Sequence, residues 1–258
     1  MSPTSLTLHR YNCTNQGYTE DLGDGVSLTL MLIPDGEFTM GAPKDEPDSE
    51  DSERPQHLVR VSRFLMGRYP VTQAQWRVVA GYEQVDRELK PDPSSFKGDD
   101  RPVEQVSWYD AVEFCQRLSR TTKKNYHLPS EAQWEYACRA ETETAYHFGD
   151  EITKDLANYS GEQTTPIGQY PANRWGLYDM HGNVWEWCQD YWHENYKGVP
   201  TDGGAWIDDR ESGLRVVRGG SWAYFPGGCR SAFRFGFTPV NDDYAFGFRV
   251  SCSPPRGL

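Results

Sequence analysis

The chain has 258 residues, 37% hydrophobic residues and a formal net charge of -12. This length and composition predict a folded protein with a sizeable core and exclude a disordered chain. The acidic excess argues against nucleic-acid binding, because phosphate contacts need Lys and Arg. No apolar run approaches the roughly 20 residues that span a membrane, and the N-terminus lacks the features of a signal peptide. We therefore expect a cytoplasmic protein with reduced thiols.

The first third of the chain contains short strand candidates separated by turns. Residues 1–24 are polar and irregular, so we interpret 1–25 as an N-terminal segment or linker and 26–258 as a single domain. Apolar or alternating runs at 26–33, 37–40 and 57–61 predict strands. The acidic run 44–53 (KDEPDSEDSE) is typical of a solvated loop.

Three helices are indicated by N-cap residues and apolar spacing. Thr72 precedes a helix over 73–79, and Ser107 precedes a helix to residue 118 with apolar residues on one face. Ser130 begins a third helix that extends to residue 140. Beyond residue 145 the sequence favours short strands and turns, as expected for a chain with 24 Gly and 17 Pro.

The segment 223–246 has an unusual composition. Its 24 residues contain no Lys, Glu, Gln, Met or Trp, and seven are aromatic. A surface segment is normally rich in Lys and Glu, whereas aromatic residues mixed with Gly and small polar residues are typical of adaptable binding surfaces. A buried strand would instead show alternating Val, Ile and Leu, and Val240 is the only such residue here. We favour a binding surface over a buried core segment.

A series of motifs occurs in order along the chain: 36–41 (GEFTMG), 70–72 (PVT), 102–108 (PVEQVSW), 127–137 (HLPSEAQWEYA), 176–187 (GLYDMHGNVWEW), 218–222 (RGGSW) and 247–249 (GFR). Together they resemble the formylglycine-generating enzyme (sulfatase-modifying factor) family over about residues 26–252. The resemblance implies an α+β, elaborated C-type lectin fold with few helices and many short strands and loops. Fold alone does not give function, because this superfamily includes oxidases, sulfoxide synthases and binding proteins.

The residues implied by the two enzymatic members of the family are missing. The oxidase uses a pair of cysteines that binds copper, but Tyr224 occupies the first position and Cys229 is the only thiol nearby. The sulfoxide synthase uses three His ligands for iron, and the six His residues here never show the required spacing. We therefore expect no catalytic residues, no enzyme activity and no copper, iron or nucleotide cofactor. The resemblance leaves the disulfides Cys115–Cys252 and Cys138–Cys229 open, although a reducing cytoplasm argues against them.

The resemblance is stronger to the variable proteins of diversity-generating retroelements. These proteins keep a lectin-like scaffold and replace adenines in C-terminal AAC codons, which produces codons that never encode Lys, Glu, Gln, Met or Trp. This is the set missing from 223–246, within a variable region of about 215–250. The predicted variable, ligand-contacting residues are Ala223, Tyr224, Phe225, Gly228, Phe233, Phe235, Gly236, Phe237, Asp243, Tyr244 and Ala245.

The resemblance also implies a structural calcium ion in the motif 176–187. By position, Asp179 and Glu186 would provide carboxylates, and Gly182 and Val184 would provide backbone carbonyls. Calcium prefers hard oxygen ligands of this kind. The alternative is a hydrogen-bonded turn without metal.

We predict a non-catalytic ligand-binding protein that displays a hypervariable aromatic site on a lectin-type scaffold. The alternatives are a divergent formylglycine-generating-type oxidase that acts on a peptide cysteine or another thiol, and a sensor or adaptor domain cut from a larger effector. The expected ligand is a protein or cell-surface molecule of unknown identity, without nucleic-acid or membrane partners. We expect the chain to be a monomer.

Overall fold

The computed structural model describes residues 12–207 and 213–254, and within them it shows an α+β fold with three α-helices and many short strands. The predicted fold class is confirmed. The first sheet has the order β1 (Gly17–Gly23), β2 (Val26–Ile33), β5 (Phe64–Gly67), β11 (Ser251–Cys252), β6 (Tyr126–His127). The second has the order β10 (Phe246–Gly247), β7 (Trp185–Tyr191), β8 (Arg215–Arg218), β9 (Arg234–Phe237). A hairpin pairs β3 (Gly36–Met40) with β4 (His57–Val61).

All three helices begin where their N-cap residues predict. They are α1 (Gln73–Ala80), α2 (Trp108–Thr122) and α3 (Glu131–Arg139). The hydroxyls of Thr72, Ser107 and Ser130 each accept a hydrogen bond from the backbone N–H three residues later. The side-chain oxygen at that later position in turn accepts one from the backbone N–H of the N-cap residue. Such reciprocal capping satisfies two backbone donors that a helix start otherwise leaves unpaired.

The prediction that residues 1–24 are irregular is wrong for 17–23. This segment forms β1, which pairs antiparallel with β2 and buries Leu22. The connection is a tight turn in which Asp24 and Gly25 both have positive φ. An Asp-Gly pair between strands is a strong hairpin signal, and the polar residues around it concealed that signal.

Buried ion pairs fasten both ends of the C-terminal segment to the rest of the fold. Arg218, in β8, bonds to Glu135 of α3, and Arg249 bonds to Glu186 of β7. All four side chains are buried. The six cysteines are free thiols. Within residues 12–207 and 213–254, none of the helices has the length and apolar character that a bilayer crossing requires.

Candidate ligand-binding surface

The predicted binding segment reaches both edges of the second sheet, because it contains β9 and ends at Phe246 in β10. Strand β9 is one edge strand and pairs antiparallel with β8, with Phe235 opposite Val217 and Phe237 opposite Arg215. The segment before β9 contains the 3-10 helical turn Pro226–Cys229. A strand edge and an adjoining turn present side chains to solvent on a fixed backbone, which suits them to recognition.

Five aromatic side chains form what we call the aromatic surface: Tyr224, Phe225, Phe235, Phe237 and Tyr244. Phe225, Phe235 and Tyr244 are 46%, 40% and 46% exposed, and the other two are half-buried. The rings of Tyr224 and Phe225 lie 4.7 Å apart, and those of Phe235 and Phe237 lie 6.0 Å apart. Large aromatic side chains are seldom left this exposed together unless a partner covers them.

A buried aromatic layer supports this surface from below. The Tyr224 ring lies 5.0 Å from Trp185, and the Phe237 ring lies 4.6 Å from Phe246. Phe233 packs against Trp185 at 5.9 Å. Because the supporting rings belong to strands or their immediate neighbours, the exposed rings are held with little conformational freedom left to lose on binding.

Three of the predicted contact residues are not at the surface. Phe233, Ala245 and Gly228 are buried, and Phe233 is only 1% exposed. The expectation that all seven aromatics of the segment form a surface is therefore corrected, since Phe246 is buried too. Ala245 is held inside because its carbonyl accepts a hydrogen bond from the N–H of Trp185. Of the remaining predicted residues, Ala223 is exposed and Asp243 is half-buried.

Two glycines of the predicted set leave room for aromatic rings. A Cβ atom at position 228 would overlap the Tyr224 ring, and one at position 236 would overlap Trp192. Neither glycine has a positive φ, so the requirement is space and not backbone conformation. A larger residue at either position needs the facing ring to move or to be replaced by a smaller side chain.

Two buried arginines fix the backbone between the aromatic residues. The Arg234 guanidinium donates two hydrogen bonds to Glu131, at 2.7 and 2.8 Å. Arg230 donates to Glu53 at 2.8 and 2.6 Å and to Glu46 at 2.5 Å. Bidentate pairing of this kind sets position and orientation together. These contacts hold both arginines, and the backbone that carries them, in place.

The only cysteine in the segment is buried beneath the surface. Cys229 has no exposed area, its thiol lies 3.8 Å from the carbonyl oxygen of Phe225, and burial raises its pKa to about 12. The thiol is therefore protonated at neutral pH and is a poor nucleophile in this conformation. Tyr224, where the family oxidase has its first cysteine, packs on Trp185 instead.

A cluster of two histidines and a cysteine lies behind the 3-10 turn and was missed from the sequence. The imidazoles of His147 and His181 stack at 4.8 Å, and the Cys138 thiol lies 3.7 Å from His181 Nε2. His181 Nδ1 lies 2.7 Å from the carbonyl oxygen of Cys229. Burial lowers the pKa of His181 to about 4, so this imidazole is neutral at physiological pH. No spacing signal could reveal this group, because residues far apart in sequence form it.

The predicted calcium ligands are used in different ways. The Glu186 carboxylate accepts hydrogen bonds from Arg249 at 2.6 and 2.7 Å and from Trp134 at 2.6 Å, so both of its oxygens are already bonded. Asp179 Oδ2 accepts from the N–H of Gly168, whereas Oδ1 has no hydrogen-bond partner among the described residues. No three His, Cys, Asp or Glu side chains in the described part of the chain are grouped to hold a metal. Calcium stays a prediction that depends on Asp179 and backbone carbonyls, including those of Gly182 and Val184.

Glu104, like Asp179, is a buried carboxyl group with one oxygen left unpaired among the described residues, and it lies near the Tyr244 end of the aromatic surface. Glu104 is fully buried, and its Oε1 accepts a hydrogen bond from the N–H of Phe96 at 2.8 Å. Its Oε2 has no partner among the residues described. Burial raises its pKa to about 7. The next residue, Gln105, donates its N–H to the carbonyl oxygen of Asp243. No pattern in the sequence singles out Glu104.

Comparison with known proteins identifies relatives along almost the whole domain. A family model described as the sulfatase-modifying factor enzyme 1-like domain matches residues 26–253. The solved structure of PvdO from Pseudomonas aeruginosa is 31% identical with a TM-score of 0.82, covering 92% of this chain and 98% of that one. The structure of Treponema denticola variable protein 1 is 27% identical with a TM-score of 0.78, covering 93% of this chain and 100% of that one.

The sequence relatives include proteins that are named as enzymes. A hercynine oxygenase of Mycolicibacterium smegmatis is 30% identical over 88% of this chain and 62% of its own length. A Chlamydia caviae protein named serine/threonine-protein kinase pkn1 is 32% identical over 86% of this chain, which spans only 37% of that protein. The expectation that the chain is not an enzyme was wrong, because missing family motifs do not exclude catalysis when relatives at this identity are named as enzymes. The motifs, the lectin-type fold and these relatives together show that the chain belongs to the sulfatase-modifying factor enzyme 1-like family.

Proposed function

We propose that this protein binds a ligand through its aromatic surface, and that the surrounding segment is diversified between copies of the gene. The expected ligand is a protein or a cell-surface molecule. The observation that carries the proposal is the joint exposure of Phe225, Phe235 and Tyr244 on a fixed backbone. Exposed apolar area of this kind is retained at a cost in solubility, and a partner that covers it recovers roughly 25 cal/mol per Å².

Three further features support the proposal. The aromatic side chains belong to the segment that lacks Lys, Glu, Gln, Met and Trp. Tyr and Phe have few rotatable bonds, so they provide contact area at a small entropic cost. The structure of Treponema denticola variable protein 1 matches 93% of this chain at 27% identity. A binding surface also serves a protein that goes on to act on what it binds.

Chemistry on the bound ligand is the second candidate, and the enzyme names of several relatives favour it. The family oxidase suggests a peptide cysteine or another thiol as substrate. Mass spectrometry of a cysteine-containing peptide incubated with the protein and oxygen, with and without copper(I), tests this directly. Loss of the thiol in the presence of the protein, but not in a protein-free control, would support the oxidase. An unchanged peptide both with and without copper(I) would refute it.

Sequencing the gene and its surroundings in several isolates tests the principal proposal without knowledge of the ligand. Diversification predicts differences concentrated at the codons of the aromatic surface, while Arg230 and Arg234 stay constant. It also predicts an adenine-rich near-copy of codons 215–250 beside a reverse transcriptase gene. A constant segment with no such copy would refute diversification.

A further inference from the structure

An acidic loop borders the aromatic surface on one side. We use this name for residues 44–53, which contain six carboxylates and one lysine, Lys44. From the sequence this run was interpreted as an ordinary solvated loop. In the fold, this loop lies beside the aromatic surface.

Arg230 holds the acidic loop in place. This buried guanidinium bonds to Glu46 and Glu53 and also donates to the backbone carbonyl of Asp48 at 2.7 Å. Two of the six carboxylates are therefore turned inward and share one arginine. Asp45, Asp48, Glu50 and Asp51 are left exposed to solvent, and Asp51 is paired with Arg54 at 3.0 Å.

The exposed carboxylates lie beside the aromatic rings. A Cβ atom placed on Gly227 would be 2.7 Å from Asp48 Oδ2 and 2.9 Å from Phe225 Cε2, so this carboxylate and this ring flank the same small space. The pKa of the Tyr224 hydroxyl is raised mainly by burial and, to a smaller extent, by the negative charge of Glu50. The Asp48 carboxylate thus borders the Phe225 end of the aromatic surface, and the charge of Glu50 acts on the neighbouring Tyr224.

The opposite end of the surface is also acidic. Asp242 is exposed and Asp243 half-buried beside Tyr244, and Lys90 lies 3.9 Å from Asp242. The only basic residues of 223–246 are Arg230 and Arg234, and both are buried and bonded to glutamates. The charge that the segment and the acidic loop present to a ligand is therefore predominantly negative.

We propose that the ligand is a polypeptide that presents Arg or Lys next to apolar side chains, an inference that rests on the proposed binding function. A cationic group over the face of Phe225 or Tyr224 gains from the negative face of the ring. The neighbouring carboxylates then accept its hydrogen bonds in charge-assisted pairs. Charge complementarity of this kind decides which partners are accepted and how fast they associate.

Peptide selection tests this inference with four forms of the full chain. Random short peptides displayed on phage are selected on the wild type, on Asp48→Asn/Glu50→Gln, on Asp21→Asn/Asp24→Asn and on Phe225→Ala/Phe235→Ala. The second pair, in the β1–β2 hairpin, is the matched control, because it also removes two negative charges. Asp24 and Asp48 both have positive φ, which Asn tolerates. The Asp48 contact with Arg230 uses the backbone and is kept.

We expect the wild type and the hairpin control to enrich peptides that combine Arg or Lys with aromatic residues. Asp48→Asn/Glu50→Gln should enrich aromatic peptides without the basic bias, and it should raise the Kd of a basic wild-type peptide roughly 2- to 30-fold. No basic bias on the wild type, or an unchanged bias in that variant, would overturn the inference and leave the proposed function standing. Enrichment of the same peptides by Phe225→Ala/Phe235→Ala would instead refute binding at the aromatic surface.

Discussion

Replacing Arg249 by Met should destabilise the fold severely. In the wild type the guanidinium bonds to both oxygens of Glu186, at 2.6 and 2.7 Å, and to the carbonyl oxygens of Gly67 and Tyr178 at 3.0 and 2.9 Å. Met fills a similar volume, but it leaves the Glu186 charge fully buried with only Trp134 as a donor. Breaking a buried pair from one side costs about 3–5 kcal/mol, a large share of the stability of a typical domain.

Denaturant unfolding followed by tryptophan fluorescence measures this loss. Glu186→Gln alone should be similarly costly, since it leaves the Arg249 charge uncompensated. The double variant should lose at least about 2 kcal/mol less than the two single losses added together, because it buries no charge. Phe225→Ala/Phe235→Ala serves as the control and should change the free energy of unfolding by only about 1 kcal/mol, because both rings are largely exposed. Additive effects of the two charge replacements would contradict a buried ion pair.

Three further predictions follow from single side chains. The unfolded chain releases the proton of Glu104 near pH 4.5 and the folded protein near pH 7, so the folded state binds more protons in this window and stability falls as pH rises through it. Glu104→Gln should remove up to about 3 kcal/mol of that fall in denaturant titrations, and an unchanged pH profile would contradict the assignment. Gly236→Ala should lower the free energy of unfolding by about 1–3 kcal/mol, because the added methyl group meets Trp192. An unchanged melting temperature would mean that the Trp192 ring moves freely. Calcium should raise the melting temperature of the wild type over an EDTA control but not that of Asp179→Asn, and equal shifts would exclude Asp179 as a ligand.

Local sequence signals predicted the helices and most of the early strands. Each helix begins at a Ser or Thr whose capping partner lies three residues away, so the information is contained in one short window. The same holds for β2 and β4, which have the predicted bounds. Strand β1 was missed although its hairpin signal is equally local, because polar residues such as Glu20 face the buried side. Glu20 is stabilised there by Lys124 and Tyr126, which no short window shows.

The sequence predicted where along the chain the candidate site lies, but not which of its residues are exposed and which are buried. Composition singled out 223–246, yet it could not separate the exposed Phe235 from the buried Phe233. The backbone around the 3-10 turn is irregular. Neither the helical nor the strand repeat therefore predicts which side chains face the core and which face solvent. The acidic loop is fixed by an ion pair between Arg230 and Glu53, which are 177 positions apart, and a single sequence carries no record of such a pairing.

The two ends of the C-terminal segment are held by Arg218 and Arg249, and the middle by Arg230 and Arg234. Each of these arginines is bonded to glutamates that lie outside the segment. The residues that secure the fold and the residues that face a ligand are therefore different sets on the same short stretch of chain. Substitutions at the exposed positions should therefore change the chemistry of this surface while the free energy of unfolding stays nearly constant.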